Sequence, residues 1–431
     1  MNLRRPLELV RGLVAALSLV ALLAPSLSGA SRTVSTPVVG LRDASPRVHA
    51  LVGARIVVAP GKVIEHGTLV LRDGVVAAVG ADVAVPADAR VWDVTGCTLY
   101  PGFIESHSTL LLSEALRPAV PAPRDESGER QRPASPSMPV VGVHSANPRV
   151  APEQSALRQL TPDPKGVEKA RALGFTVANL APERGVFRGA SALVSLGNLS
   201  LNSGVVRESA DQEIAFEFGS YDSGAYPTSL MGAIALTRQT LLDAQWYAAT
   251  QAAYAAKAGQ GVERPEVNES LAALGPVVGG SQLAMFQLGD ELDVARVLKI
   301  AREFKLKVAL GGVGTEYRVR QELAQAGVPV VIPLDFPEAP EVESPDKAVD
   351  VQLHELQHWD LAPSNAARLA EAGVTFAFTS SRLRKPESEF WPRLRRAVRR
   401  GLSEDQALAA LTTAPAAMFG VSATHGTPGP P

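Results

Sequence analysis

Cysteine is almost missing from this chain, since its 431 residues include only Cys97. A single thiol excludes an internal disulfide framework, a four-thiolate zinc site and a CxxC redox pair. We therefore expect Cys97 to be a small, buried hydrophobic side chain.

An excess of one charge is also missing. The chain has 42 Lys and Arg residues against 44 Asp and Glu residues, with no long run of one sign. Electrostatic capture of a nucleic acid is therefore not expected. Residues 311–314 (GGVG) are glycine-rich, but they lack the Lys-Ser/Thr of a P-loop and the spacing of a dinucleotide fingerprint.

The first thirty residues carry the features of an export signal. Arg4, Arg5 and Arg11 precede the apolar residues 12–25 (GLVAALSLVALLAP), and small residues stand at positions 28 and 30. This order predicts a signal peptide over residues 1–30, followed by a linker over residues 31–50. We expect a periplasmic or secreted protein; the alternative is a membrane anchor through residues 12–25.

The pattern of apolar and polar residues changes near residue 100. Short apolar bursts separated by Gly, Pro and Asp predict β-hairpins over residues 51–99. Buried strands then alternate with amphipathic helices up to residue 420, which predicts an α/β fold with a parallel sheet. Repeated prolines mark a surface insertion over residues 117–139, and residues 421–431 read as a disordered tail.

Residues 100–107 (YPGFIESH) resemble the PGFID-x-H-x-H segment of the amidohydrolase superfamily. Residues 71–80 resemble the family's accessory β-sandwich, and residues 172–196 and 401–420 resemble its imidazolonepropionase-like branch, all in the family's order. Residues 226–247 resemble a subset of bacterial amidohydrolase-like proteins, some of which are tandem chains with two amidohydrolase-like halves. The resemblance covers about residues 51–420. It implies a (β/α)8 TIM-type barrel over residues 100–420, with residues 51–99 as the first part of a small β-sandwich.

The family completes this sandwich with residues that follow the barrel. The resemblance therefore implies an incomplete sandwich here, with exposed strand edges and apolar faces. The chain is then either a fragment or one half of a tandem arrangement. A second amidohydrolase-like polypeptide or a second copy of the chain is the expected partner, beside an unidentified small-molecule ligand.

The resemblance also implies a divalent metal, usually zinc, that activates a water for attack on a carbon-nitrogen bond. Most of the family's ligand positions hold other residues in this sequence. The positions are now His107, Thr109, Gln287, Gly311 (or Gly312) and Ser381. Neutral oxygens bind zinc weakly, so we expect no tightly bound metal cofactor.

Several polar residues stand in otherwise apolar segments and are candidates for a pocket at the barrel mouth. They are His107, Glu105, Arg188, Arg238 and Glu316. Structural pairing is the alternative for each of them, since buried charges are generally paired. If the protein does bind a metal, the alternative candidates for its ligands are Glu105, His144 and Glu316.

One competing motif is the zinc-peptidase signature HExxH at residues 354–358 (HELQH). On a helix it would place both imidazoles on one face. The longer signature fails, because Leu361 and Ser364 occupy the places of its further Gly and His, and Pro363 ends the helix. Three hypotheses follow: an amidohydrolase-family hydrolase of non-peptide C–N bonds with a degenerate metal site, a non-catalytic binding or scaffolding barrel, and, remotely, a zinc peptidase.

Overall fold

The computed structural model describes residues 47–117, 143–197, 203–219, 226–257, 260–261 and 263–429. The predicted signal peptide and most of the predicted linker and insertion lie outside these residues. Of the helices in the described ranges, none combines the length and the hydropathy that a bilayer crossing requires.

Five strands of the N-terminal region form one sheet in the order β3-β2-β1-β4, with β5 also paired to β1. Strands β1, β2 and β3 form two consecutive antiparallel hairpins, whereas β4 and β5 run parallel to β1. The strands are β1 (Val48–Ala59), β2 (Lys62–Arg72), β3 (Val75–Gly80), β4 (Arg90–Asp93) and β5 (Thr98–Leu99). The structure therefore contains the expected hairpins but begins the first strand at Val48, inside the predicted linker.

The edges of this sheet expose apolar side chains. Val75 on β3, and Val91 and Trp92 on β4, are among the exposed large hydrophobic residues. Arg90 lies over the Trp92 ring at 4.1 Å from its centroid, which covers part of the indole.

The expectation for Cys97 is wrong, because the thiol is exposed. Cys97 lies in the turn between β4 and β5. Its backbone N–H donates to Val94 O, and its carbonyl accepts a hydrogen bond from Arg55 N. Backbone pairing at a sheet edge fixes this residue, so its small side chain is not needed in a core.

Ten further strands form two sheets, in the orders β10-β9-β7-β6 and β15-β14-β13-β12-β11-β8. Strand β6 pairs parallel to β7, and β11 to β15 pair parallel in succession. The strands are β6 (Phe103–Ser108), β7 (Phe175–Leu180), β8 (Phe187–Ala190), β9 (Ala192–Ser195), β10 (Val205–Arg207), β11 (Asp211–Ala215), β12 (Leu283–Gln287), β13 (Val308–Gly311), β14 (Val330–Pro333) and β15 (Phe376–Thr379). The mixed α/β architecture with parallel sheets agrees with the sequence prediction.

Helices precede most of the parallel strands, as the alternating pattern predicts. The α-helices are Pro164–Ala172, Leu230–Ala256, Glu269–Ala273, Gly275–Val278, Asp293–Phe304, Arg320–Ala326, Pro345–Asp350, Leu353–Leu361, Asn365–Glu371, Pro386–Arg399, Glu404–Leu411 and Thr413–Met418. The predicted helices before β7, β13 and β15 are all present. The predicted disordered tail is described up to residue 429 as turns and bends, with Val421 buried.

Both faces of the parallel strands are buried. On β12, Ala284 and Phe286 belong to the large apolar cluster that includes the helices, whereas Leu283 and Met285 belong to a second cluster with Ile104. Because successive side chains of a strand point to opposite faces, Gln287 continues the row of Leu283 and Met285. A polar side chain thus ends an apolar row at the carboxyl end of the strand.

Side chains link the two ends of the strand series. Thr379 Oγ1 on β15 donates to His107 O on β6 at 2.8 Å, and Ser380 N donates to the Glu105 carboxylate at 3.0 Å. Over the described ranges, no ladder pairing joins β15 to β6. The closed (β/α)8 barrel therefore stays a prediction, whereas the contact between the first and last strands is a feature of the structure.

Candidate functional site

His107 lies near the carboxyl end of β6 and is buried, with 6% of its surface exposed. Its Nε2 lies 2.7 Å from Glu183 Oε1. Glu183 belongs to the loop after β7, where its backbone N–H donates to Leu116 O at 2.8 Å. The carboxylate that faces His107 is therefore positioned by a loop that is itself hydrogen-bonded to the segment after β6.

The other ring nitrogen of His107 faces β11 and β12. Nδ1 lies 3.5 Å from Glu213 Oε1 and 3.2 Å from Gln287 Nε2, and Gln287 Nε2 donates to Glu213 Oε2 at 2.9 Å. In the protonated ring, Nδ1–H donates toward the carboxylate of Glu213, and the approach of the Gln287 amide nitrogen is then a packing contact. Both ring nitrogens are thus engaged by side chains of the chain itself.

Burial by itself would lower the pKa of His107, but hydrogen bonds to Glu183 and Glu213, and their charges, outweigh it and raise the pKa to about 10. Burial would likewise raise the pKa of Glu183, yet the hydrogen bond and charge of His107 lower it. Since the folded-state pKa of His107 lies above its ordinary value of 6.5, the stability from this ion pair is present below about 6.5 and is lost as the pH rises through about 10.

Glu105, two residues before His107, is a separate buried carboxyl group. Ser380 donates to it from its backbone N–H and from Oγ, the latter at 2.5 Å, and His107 N approaches it at 3.4 Å. Burial raises the pKa of Glu105, although these hydrogen bonds act in the opposite direction. Glu105 therefore ties β6 to the end of β15.

Of the predicted ligand positions other than His107, Gln287 reaches the His107 ring through its amide nitrogen, which is not a metal ligand, and the rest bring no imidazole or carboxylate. Thr109 lies beyond the end of β6 and is half-buried, and Ser381 is exposed. Gly311 is paired with Gln287 across β12 and β13, and a Cβ at Gly311 would lie 1.9 Å from Gln287 Oε1. Gln287 thus occupies the space that a larger side chain at position 311 would require.

Three of the predicted pocket residues have structural partners. Arg188 donates to Gly185 O and lies 3.4 Å from Glu217 Oε2. Arg238 is on the surface of the helix Leu230–Ala256 and pairs with Glu303, so it does not line a pocket with His107. Glu316 is buried and accepts hydrogen bonds from Gly314 N at 2.9 Å and from Asn365 Nδ2 at 2.6 Å.

The partners of His107 and a buried layer of polar side chains next to it were not predicted from the sequence. Asp211 is fully buried on β11, two residues before Glu213; its Oδ2 accepts a hydrogen bond from Asn179 Nδ2 at 3.1 Å. Burial, followed by the charge of Glu213, raises the pKa of Asp211 to about 8. Two carboxylates at positions i and i+2 of an apolar strand (DQEIA) were the signal that could have revealed this layer.

A zinc ion does not fit these residues. A catalytic zinc needs about three protein ligands with free lone pairs, and the only imidazole at this place is held by Glu183 and Glu213. His144, another candidate ligand, is exposed, and its Nδ1 lies 3.6 Å from Glu153. In the described part of the chain, no group of three or more His, Cys, Asp or Glu side chains is arranged to hold a metal.

The HExxH segment forms the helix Leu353–Leu361, but its residues have other roles. Glu355 accepts a hydrogen bond from Gln352 N and so caps its own helix. His358 stacks on Tyr317 with an interplanar angle of 17°, and its Nδ1 lies 3.3 Å from Tyr317 OH. His354 is exposed. The two imidazoles therefore have unlike environments, which argues against a shared metal.

We expect His354→Ala to leave the zinc content and any proteolytic activity of the protein unchanged, because His354 is exposed and Glu355 caps the helix. His358→Ala is expected to lower only the melting temperature, through loss of the Tyr317 contact. Elemental analysis and a casein assay with a chelator control measure both. Loss of one equivalent of zinc in either variant would revive the peptidase hypothesis.

Comparison with known proteins gives the fold of this chain. No family model and no curated protein sequence matches it.

An amidohydrolase structure from Thermotoga maritima MSB8 is similar, with a TM-score of 0.68 and 21% identity over 88% of this chain and 91% of that chain. A beta-aspartyl dipeptidase from Fervidobacterium islandicum AW-1 has a TM-score of 0.47 and 12% identity, covering 89% of this chain and 90% of that one. A putative prolidase from Bifidobacterium longum has a TM-score of 0.44 and 16% identity, covering 89% and 86%. At 21% identity, the similarity to the Thermotoga structure establishes the fold but not the reaction, which has to be inferred from the site residues. The chain has the fold of an amidohydrolase.

Proposed function

We propose that this protein is a (β/α)8 member of the amidohydrolase superfamily, by descent a hydrolase of non-peptide carbon-nitrogen bonds, with a degenerate metal site and little or no metal-dependent catalysis. The imidazolonepropionase-like branch is the one that its sequence segments resemble. The amidohydrolase fold and the order of these segments support the proposed ancestry.

The single observation that carries the loss of metal chemistry is the engagement of His107. A zinc-bound imidazole offers a free lone pair to the metal at about 2.0–2.1 Å. The Nε2 of His107 instead lies 2.7 Å from Glu183 Oε1, and its Nδ1 faces Glu213. An imidazolium between two carboxylates has no lone pair to donate.

The same engagement limits metal-free chemistry. A general base must be unprotonated at the working pH, whereas the pKa of His107 is raised to about 10 by its two carboxylate partners. The remaining groups, Glu105 and Gln287, are held by Ser380 and Glu213. The polar side chains at the ends of these strands are therefore hydrogen-bonded to one another and are not free to activate a water molecule.

The test of this proposal is the metal content of the purified protein. We expect much less than one equivalent of zinc, manganese or iron after dialysis, and no chelator-sensitive hydrolysis of imides, cyclic amides or acyl dipeptides. Elemental analysis and a hydrolysis screen with and without a chelator measure these quantities. A stoichiometric transition metal that disappears in a His107→Ala variant would restore the active-hydrolase hypothesis.

A second candidate function is a non-catalytic barrel that binds or supports an amidohydrolase-like partner. The exposed Val91 and Trp92 on β4, and Val75 at the opposite end of the sheet on β3, favour it, because strand edges with exposed apolar side chains are common at interaction surfaces. The hydrolysis screen separates the two candidates: residual turnover that a chelator does not abolish supports the first, and ligand binding without turnover supports the second.

A further inference from the structure

Unpaired buried polar atoms are concentrated in one place inside the fold. Six buried side-chain nitrogen or oxygen atoms of the described residues have no hydrogen-bond partner, and five of the six belong to β6, β7 and β11. Four of these five are oxygens: Ser106 Oγ, Asn179 Oδ1, Asp211 Oδ1 and Glu213 Oε1, of which the last has only the long 3.5 Å contact from His107 Nδ1. Because an unsatisfied buried polar group is costly, a cluster of them calls for a physical explanation.

Asn179 connects the members of this cluster. Its Nδ2 donates to Ser106 O at 3.3 Å and to Asp211 Oδ2 at 3.1 Å, which uses both amide hydrogens and orients the carboxamide. Ser106, Asn179 and Asp211 are each fully buried. The amide oxygen of Asn179 and the second carboxylate oxygen of Asp211 thus belong to two side chains that are hydrogen-bonded to each other, and both oxygens are left without donors.

The chemistry of the unpaired atoms points to a particular class of ligand. The four oxygens come from a hydroxyl, an amide and two carboxylates, which are the donors that hard cations prefer, whereas zinc favours imidazole and thiolate. Glu183 pairs with His107 at 2.7 Å, Glu213 has only the 3.5 Å contact from His107, and Asp211 has no ion-pair partner among the described residues. A divalent cation at this place would hold Asp211 in its ionised form and offset its charge.

We propose that Ser106, Asn179 and Asp211, with the charge of Glu213 beside them, form a buried site for a hard divalent cation such as Ca²⁺ or Mg²⁺. The site is built on oxygen atoms and does not use an imidazole, so it differs in donor type from the zinc site that the fold implies. Its role is structural: the cation joins β6, β7 and β11 at their polar layer. The proposal stands independently of the loss of hydrolytic activity.

The experiment uses the full chain, purified, stripped with a chelator and dialysed. Melting temperature is measured with added CaCl₂, with added MgCl₂ and with NaCl at matched ionic strength, and bound metal is measured by elemental analysis after gel filtration. We expect about one equivalent of Ca²⁺ or Mg²⁺ and a rise in melting temperature that NaCl does not reproduce, because a ligand that binds only the folded state stabilises it. Asp211→Asn should abolish both the retained metal and the rise.

Glu316→Gln is the matched control, since it also removes one buried carboxylate charge but lies outside the cluster. It should retain the cation and the cation-dependent rise even if its melting temperature is lower overall. If the wild-type protein retains neither Ca²⁺ nor Mg²⁺ and shows no specific rise, the proposal is wrong, and water or a proton on Asp211 satisfies these oxygens. A cation that survives Asp211→Asn but is lost in His107→Ala would also overturn it.

Discussion

Replacement of His107 by alanine is expected to lower the free energy of unfolding at neutral pH by about 3–5 kcal/mol, the usual cost of removing one partner from a buried ion pair. The substitution leaves Glu213, which is fully buried, without its cationic neighbour, and leaves Glu183 facing a cavity. Urea unfolding followed by circular dichroism measures the change. The packing lost with the ring adds to the effect of the lost charge.

A second substitution separates these two contributions. Glu213→Gln in the His107→Ala background removes the orphaned carboxylate, so the double variant should recover part of the lost stability. His144→Ala is a matched control, because His144 also faces two carboxylates, Glu153 at 3.6 Å and Glu269 at 3.8 Å, but is exposed. A loss no larger in His107→Ala than in His144→Ala would contradict the ion-pair interpretation.

Replacement of Glu316 by alanine is expected to cost a comparable amount, about 3–5 kcal/mol, for a different reason. The Glu316 carboxylate accepts hydrogen bonds from Val313 N, Gly314 N and Asn365 Nδ2. Each donor left unsatisfied in a buried place costs about 1–3 kcal/mol. Urea unfolding measures the loss, and any ligand binding should change only as far as folding does.

Glu316→Gln is the conservative counterpart. It keeps one acceptor oxygen for the backbone N–H groups of the loop, but its amide nitrogen opposes Asn365 Nδ2, so we expect a smaller loss of about 1–2 kcal/mol. Equal stabilities of the alanine and wild-type proteins would show that Glu316 does not hold this loop. In that case a role in a pocket would again be the better hypothesis.

The alternation of apolar strands and amphipathic helices could be predicted from the sequence, because it depends on the local periodicity of apolar residues. The helix Asp293–Phe304 followed by β13 and the helix Asn365–Glu371 followed by β15 occur where the pattern predicts them. The hairpins of residues 51–99 were predictable for the same reason. The parallel pairing of β4 and β5 with β1 was not, because it joins segments that are distant in sequence.

The candidate site was predictable only in part. His107 and Glu105 follow from the resemblance of residues 100–107, and the pairing of Gln287 with Gly311 lies where the predicted ligand positions fall. For Arg238 the structure favours the pairing alternative, since this charge on an apolar helix pairs at the surface with Glu303. Sequence spacing alone cannot distinguish these two outcomes.

The sequence by itself determined which segments become strands and helices, and that a histidine would stand near the end of β6. Only the tertiary structure decided what that histidine does. Glu183 and Glu213 lie 76 and 106 residues away from His107 along the chain, yet they meet its two ring nitrogens because β6, the loop after β7 and β11 converge at one end of the strands. The periodicity of apolar residues is a local property of the amino-acid sequence. The charge state of a buried imidazole depends on which carboxylates share its low-dielectric surroundings, and only folding brings those together.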